Sequence, residues 1–303
     1  SGSLGGSPPM SGLLESVEAL VKGGDPRREC ARSGAFPLLS TATAIGEGGR
    51  GMPSVVKALI ARRADPLQVN KADGSFPLLA ATRSGFPEVV ESLLQVGADP
   101  AQMHPREGTF PLLAAAQDRR CDIVEVLLAY GANPCQEGKP TTALTVAAKQ
   151  GSVDIVEALL AGRADPNQVH PENSESPLLQ AAKGAHSGCC VALLSCRADS
   201  TKTHRPTGNF PLLAAVSGRS LETVETLLGH KVGVWQSNSK TGTNALIDAV
   251  AIGHQGIVEA LLRFKADPNQ VNEVHPTQTP LVVSRKKRFF DIENVLISAG
   301  ALY

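Results

Sequence analysis

The chain has 303 residues, and its 29 Lys and Arg balance 29 Asp and Glu, so the formal net charge is zero. This balance argues against a generally basic nucleic-acid-binding protein and against an acidic solvating tail. Hydrophobic residues make up 42% of the chain, which is enough for a core and excludes wholesale disorder. Aromatic residues make up only 4%, and strands favour such side chains, so an all-β sandwich is not expected.

The start of the chain shows no targeting signal. Residues 1–10 have neither a basic segment nor an apolar one, so we expect no signal peptide and interpret them as a flexible tail or a cloning remnant. Residues 11–35 carry an amphipathic pattern, which predicts a partial capping unit. The apolar positions of this pattern are Leu13, Val17, Leu20 and Val21. No apolar run approaches 18 residues, so no membrane span is expected.

Two sequence markers recur with a period close to 34 residues. The first, Ala-Asp-Pro, begins at Ala64, Ala98, Ala164 and Ala266. The second, Phe-Pro-Leu-Leu, begins at Phe36, Phe76, Phe110 and Phe210. With the looser copies, the second marker defines eight units that begin at Phe36, Phe76, Phe110, Thr142, Ser176, Phe210, Asn244 and Thr279. An ordinary chain of this length would form about two domains, but an array of repeats forms one body. We therefore expect residues 11–303 to be a single domain.

Each unit has the pattern of two short helices and a polar loop. In the second unit, Pro77 suits the first turn of a helix, and Gly85 breaks that helix. Val89, Val90, Leu93 and Leu94 then form one apolar face of a second helix, which ends at a glycine. Residues 101–109 have turn chemistry rather than a helical period.

These residues resemble the ankyrin repeat family, whose pattern is roughly G-x-T-P-L-H-x-A-A-x-x-G-H followed by V-V-x-x-L-L-x-x-G-A-D. The matching positions in one unit are Pro77, Leu78, Ala81, Gly85, Val89, Val90, Leu93, Leu94, Gly97, Ala98 and Asp99. The match recurs from about Phe36 to Ala301. A tetratricopeptide array has the same period, but it lacks Ala-Asp-Pro with a long polar loop and contains large aromatics. The resemblance implies an all-α solenoid with extended loop fingers.

Two departures from the family pattern are informative. Phenylalanine replaces the usual threonine before Pro-Leu-Leu in four units, which exchanges a polar network for apolar packing. The glycine before Ala-Asp is often basic, and we interpret these cations as charges that complement the dipole at a helix C-terminus. They are Arg63, Arg163, Arg197, Lys231 and Lys265.

No pattern for catalysis, a metal or a cofactor is present. The G-x-G-x-x-G sequence at residues 46–51 follows a helix instead of a strand, so we interpret it as an inserted loop and not a dinucleotide site. The loop histidines His104, His170, His204 and His275 are too widely spaced to form a metal array. Cys189 and Cys190 replace Val-Val and are expected in the core. Cysteines without C-x-x-C spacing favour a reducing compartment, cytoplasmic or nuclear.

The resemblance implies a binding surface made of the loop fingers and the exposed ends of the first helices. On the helices, the candidate partner-binding residues are Arg83, Gln117, Lys149, Lys183, Ile252, Lys286 and Lys287. A glutamine also recurs three residues after the Asp of Ala-Asp-Pro, at Gln68, Gln102, Gln136, Gln168, Gln236 and Gln270, with Lys202 in its place once. Such amides either bind an extended peptide or tie each finger to a neighbouring one. Trp235, the only Trp, either anchors a partner or packs over its unit's missing Asp-Pro turn.

The sequence therefore predicts a non-enzymatic scaffold, monomeric alone, that binds a protein or peptide with acidic and apolar features. Two alternatives stay open: nucleic-acid or nucleotide binding through the basic cluster at residues 285–288, and a targeting module of a larger multidomain protein. Asn167 and Asn269 resemble the sites that asparaginyl hydroxylases modify in ankyrin repeats, except that Pro stands where Val is usual.

Overall fold

A computed structural model of the chain describes residues 23–30, 33–46, 51–139, 141–169 and 174–302. The proposed tail and capping helix, most of the G-x-G-x-x-G loop and His170 lie outside these residues. Within the described part of the chain, the regular elements are helices, and β-structure is limited to isolated bridges that join 137 to 142 and 237 to 244. The predicted all-α class is confirmed.

The helices come in pairs, and each pair coincides with one predicted unit. The first helices are α1 (Pro37–Thr43), α3 (Pro77–Ser84), α5 (Pro111–Gln117), α7 (Ala143–Gln150), α9 (Pro177–Lys183), α11 (Pro211–Ser217), α13 (Ala245–Ile252) and α15 (Pro280–Lys287). The second helices are α2 (Pro53–Ala61), α4 (Pro87–Gln95), α6 (Cys121–Ala129), α8 (Val153–Ala161), α10 (Ser187–Ser195), α12 (Leu221–Gly229), α14 (Gln255–Arg263) and α16 (Phe290–Ser298).

Contacts group the described residues into two compact blocks of repeats. The first block contains the described residues between 23 and 143 together with 161–164, and the second contains 144–160 and the described residues between 165 and 302. In the first block, α1, α3 and α5 pack in one row and α2, α4 and α6 in another. In the second block, α9, α11, α13 and α15 form one row and α10, α12, α14 and α16 the other. That residues 11–303 form a single domain stays a prediction.

In seven of the repeats, the residue before the first helix stabilises that helix in one of two ways. Phe110 has an extended backbone and makes no side-chain cap, but its ring is fully buried, as are those of Phe36, Phe76 and Phe210. In other units a polar side chain accepts a hydrogen bond from the helix backbone: Ser176 Oγ from Leu179 N, Asn244 Oδ1 from Ile247 N and Thr279 Oγ1 from Val282 N. The structure thus confirms that phenylalanine exchanges a polar contact for core packing.

We expect Phe110→Ala to lower the free energy of unfolding by about 3–5 kcal/mol, because it removes a fully buried ring. Thr279→Ala should lower it by only about 1 kcal/mol, since a helix cap is lost there. Urea denaturation of both variants measures the difference. Equal losses would mean that the ring contributes no more than a cap.

In several fingers one side chain closes the loop by accepting hydrogen bonds from the finger backbone. Asn238 Oδ1 accepts from Lys240 N at 2.8 Å and from Thr241 N at 3.1 Å, and the backbone N–H of Asn238 donates to Thr243 O. His104 Nδ1 performs the same task by accepting from Glu107 N at 3.1 Å. His104 is almost completely buried, so its position in the fold accounts for a histidine in this loop.

The turns after the helices have a left-handed backbone, including at residues other than glycine. The five cations before Ala-Asp or its variants have φ between 61° and 70°. The turn between the two helices of a unit has the same conformation, at Gly85, Gly151 and Gly253 but also at Ala185, where φ is 59°. A side chain at positive φ costs about 1–2 kcal/mol per residue relative to the right-handed conformation. The charge role predicted for the five cations from the sequence does not include this backbone strain.

Ala185→Gly should therefore raise the free energy of unfolding by about 0.5–1 kcal/mol, because glycine adopts positive φ without strain. Ala192→Gly, in the interior of α10, is the matched control and should lower it by a similar amount. Thermal melting of both variants tests the assignment. A loss of stability at both positions would show that residue 185 is not strained.

Candidate functional site

Two adjoining cavities lie along the first helices and the fingers of the second block of repeats. We call the two cavities together the groove. The larger has a volume of about 980 Å³ and the smaller about 310 Å³. Thr207 and Asn209 line both cavities, so the two adjoin each other. The walls come from α9, α11, α13 and α15 and from the fingers at 204–209, 238–243 and 272–278.

The larger cavity combines apolar walls with a basic surround. Val274 and Val282 line it and are 53% and 45% exposed, which is high for aliphatic side chains. Its cations are Lys240, Lys286 and Lys287, and His275 also lines it. Such a surface suits a ligand with apolar groups and negative charge.

Asp248 is the one acidic residue that lines the larger cavity. It is half-buried on α13, and its Oδ1 accepts a hydrogen bond of 2.8 Å from Thr243 Oγ1. Burial raises the pKa of this carboxyl above its ordinary value, although the bond from Thr243 acts in the opposite direction. Asp248 is not among the site residues predicted from the sequence. A comparison of the repeats would have identified it, because no other repeat has a charged residue at this position. The equivalent residues are Ser40, Ala80, Ala114, Val146, Gln180, Ala214 and Val283.

The structure brings only some of the predicted helix residues to the groove. Lys183 lines the smaller cavity, and Lys286 and Lys287 line the larger. Lys149 is exposed but lines neither cavity, and Ile252 is half-buried next to the cavity residue Ala251. In the first block, Arg83 forms an ion pair with Glu107, and the guanidinium lowers the pKa of that carboxyl. Gln117 is exposed at the end of α5.

The glutamine ladder forms one hydrogen bond repeatedly between neighbouring loops. In five of the six glutamines, the amide N–H donates to the backbone carbonyl of the residue that precedes the ladder position of the previous repeat. The bonds run from Gln68 to Arg27, Gln102 to Leu67, Gln136 to Ala101, Gln236 to Thr201 and Gln270 to Trp235, at 2.9–3.1 Å. Lys202 Nζ replaces the amide with a 2.6 Å bond to Asn167 O. Gln168 is half-buried. These bonds supply the ties between loops, while a role of the ladder in partner binding stays a prediction.

Trp235 is 72% exposed and packs over a glycine. In the other repeats, an Asp or Asn accepts a hydrogen bond from the backbone two residues later, as Asp267 Oδ1 does from Asn269 N. Gly233 replaces that residue, and a Cβ built there would lie 3.1 Å from the indole Cε2. The indole therefore covers a position where a side chain is missing and still exposes most of its surface. Trp235 does not line either cavity.

The two asparagines that resemble hydroxylation sites hold neighbouring turns. Asn167 donates through Nδ2 to Arg197 O and accepts at Oδ1 from Asp199 N. Asn269 makes the equivalent pair of bonds with Gly300 O and Leu302 N. Both side chains thus fix the turn of the following repeat.

The remaining candidate groups in the described part of the chain are cysteines and potential metal ligands. Cys189 and Cys190 are fully buried, which confirms their expected place in the core, and burial raises their thiol pKa values to about 11 and about 12. Among the described residues, no group of three His, Cys, Asp or Glu side chains could hold a metal ion. In the same part of the chain, no helix has both the length and the apolar character needed to cross a bilayer.

Comparison with known proteins agrees with this architecture. The family model "Ankyrin repeats (3 copies)" matches residues 39–138, 134–204 and 178–272, so the chain belongs to the ankyrin repeat family. The ankyrin repeat domain of Bcl-3, described as a unique member of the IkappaB protein family, is 28% identical, with a TM-score of 0.65 over 73% of this chain and 99% of its own. The ankyrin repeat domain of human ASB11 is 25% identical, with a TM-score of 0.63 over 77% and 100%. Among curated proteins, none matches the chain.

The raised pKa of Asp248 gives a pH-dependent prediction. A carboxyl whose pKa is higher in the folded chain than in the unfolded one destabilises the fold as it ionises, so this loss grows as pH rises through the two pKa values. Asp248→Asn should melt at a higher temperature than the wild type at pH 7. The difference should vanish at about pH 3, where the carboxyl is protonated in both the folded and the unfolded chain. Melting curves of both chains at the two pH values test this prediction. His275 and the three cavity lysines are the same in both chains, so the difference in melting temperature reports residue 248. A lower melting temperature of the variant at pH 7 would contradict it.

Proposed function

We propose that the chain is a non-enzymatic scaffold and that its groove binds a partner protein through an extended segment with acidic and apolar residues. Ankyrin repeat domains are in general protein–protein interaction modules. The observation that carries the finer proposal is the larger cavity, where exposed Val274 and Val282 lie beside three lysines. A cytoplasmic or nuclear location suits this activity.

The charge pattern favours an acidic protein segment over nucleic acid. The lysines lie within a cavity beside apolar walls, whereas a nucleic-acid surface would be expected to present an open basic stripe. In the basic cluster, Arg285 is already engaged, because its Nε donates to Glu293 Oε1 at 2.7 Å. The zero net charge of the chain also lowers its general attraction to a polyanion.

Site-specific photocrosslinking identifies what occupies the groove. A benzoylphenylalanine at Ala251 lies on the wall of the larger cavity, and one at Glu259 on the exposed side of α14 is the matched control. We expect a protein crosslink, identified by mass spectrometry, from position 251 and not from position 259. Crosslinks from 259 alone would place the partner on the second helices, and a nucleic-acid crosslink at 251 would support the alternative function.

Affinity measurements with the identified partner separate the roles of charge and anchor. Lys183→Glu combined with Lys286→Glu should weaken binding most at low salt, because exposed charges mainly set the association rate and its salt dependence. Trp235→Ala should weaken binding at all salt concentrations, with a loss of about 2 kcal/mol if the indole is an anchor.

Thermal melting of the same variants is the control, since all three side chains are exposed and their loss should leave stability nearly unchanged. Trp235→Ala that lowers stability without changing affinity would make the indole a packing residue over Gly233. If both variants bind the partner with unchanged affinity, the partner does not bind in the groove and this part of the proposal is wrong.

A further inference from the structure

Asp248 differs in charge both from the other charged residues of the larger cavity and from the equivalent residues of the other repeats. The cavity's other charged side chains are three lysines, and His275 adds a group that gains positive charge at low pH. At the same position of the first helix, other units carry Ser40, Ala80 or Ala214. The backbone of this position therefore does not require a carboxylate.

The carboxylate has little compensation for its loss of water. Thr243 Oγ1 donates to Oδ1, and among the described residues no lysine, arginine or histidine forms an ion pair with it. Within that same part of the chain, Oδ2 has no hydrogen-bond partner. A partly buried charge without a counter-charge is unfavourable, and burial accordingly raises the pKa of this group.

The cavity geometry explains how a ligand could supply that counter-charge. Asp248 lies on α13, in the middle of the walls, with α11 and the finger at 207–209 on one side and α15 on the other. Val274 and Val282 offer apolar surface for the methylene groups of a long side chain. Lysines at 240, 286 and 287 offer positive charge in the same cavity.

We propose that Asp248 is a specificity-determining residue that binds a lysine or arginine side chain of the partner, while acidic residues close to that cation contact Lys240, Lys286 and Lys287. The recognised segment then has mixed charge, with one basic residue between acidic ones. This inference rests on the proposed function, because it requires the partner to occupy the larger cavity.

A selection from a random peptide library tests the preference directly. Phage-displayed peptides are selected on the purified full chain and, in parallel, on Asp248→Asn. We expect the wild type to enrich peptides in which one Lys or Arg stands within a few positions of Asp or Glu. The variant should keep the acidic preference and lose the basic one, because the amide cannot compensate a cation.

A double-mutant cycle then measures the coupling with one selected peptide. Replacing its Lys or Arg by Met should weaken binding to the wild type at least tenfold and should have little effect on binding to Asp248→Asn. Asp291→Asn, which removes an exposed carboxylate on α16, is the matched control and should behave as the wild type. If Asp248→Asn does not fold, Asp248→Ser takes its place, since serine occurs at the equivalent position 40.

The outcomes separate this inference from the proposed function. Peptides enriched without a basic residue, or a Met analogue that weakens binding equally on both chains, would overturn the role of Asp248 and leave groove binding intact. If no peptide is enriched on the wild type, both the role of Asp248 and groove binding are overturned. A tenfold effect that appears on the wild type and disappears only in the Asp248 variants supports the assignment.

Discussion

The structure depends on apolar contact between the first helices of neighbouring repeats. These helices are only seven or eight residues long, so they would be marginal in isolation and gain their stability from packing. In α5, six of seven residues are buried, three of them alanines, which allow neighbouring helices to approach closely. The fully buried ring of Phe110 extends this packing to the end of the adjoining finger. Within each of the two blocks, a repeat thus buries its apolar face against its neighbour.

Polar contacts between neighbouring loops depend on that packing and give the fingers a fixed spacing. The glutamine bonds, such as Gln236 to Thr201 O, repeat the same connection along each block, and Lys202 makes it with an ammonium group. Within a finger, Asn238 accepts two backbone N–H bonds and donates two more contacts to the preceding finger. The larger cavity is lined by fingers held in this way, so a partner would meet a largely preformed surface and less binding free energy would be spent on ordering loops.

The sequence predicts the parts of this structure that repeat. Period, helix pairs, the packing role of Phe110 and the buried place of Cys190 all follow from patterns that recur in phase. The sequence does not predict the cases in which a residue occupies a backbone position that usually holds another residue type. Arg197 reads as a charge at a helix end, yet its left-handed φ of 65° follows from a backbone that most ankyrin units satisfy with glycine. For His104 the sequence argues only against a metal array, whereas in the structure this side chain accepts the same kind of backbone bond as Asn238.

The candidate site is harder to predict than the fold because it depends on exceptions to the repeat. Lys183, Lys286 and Lys287 were found by phase, since each occupies the exposed end of a first helix. Asp248 was not predicted because its position is buried or half-buried in every repeat, and the prediction by phase considered only the exposed ends of the first helices. Trp235 shows the converse case: Gly233 removes a side chain that other repeats use for a turn, and the indole covers the vacated space while most of it faces solvent. The repeated residues therefore identify the scaffold. A residue that differs in type from its equivalents in the other repeats, and that does not stabilise its own repeat, is the better indicator of what this particular chain binds.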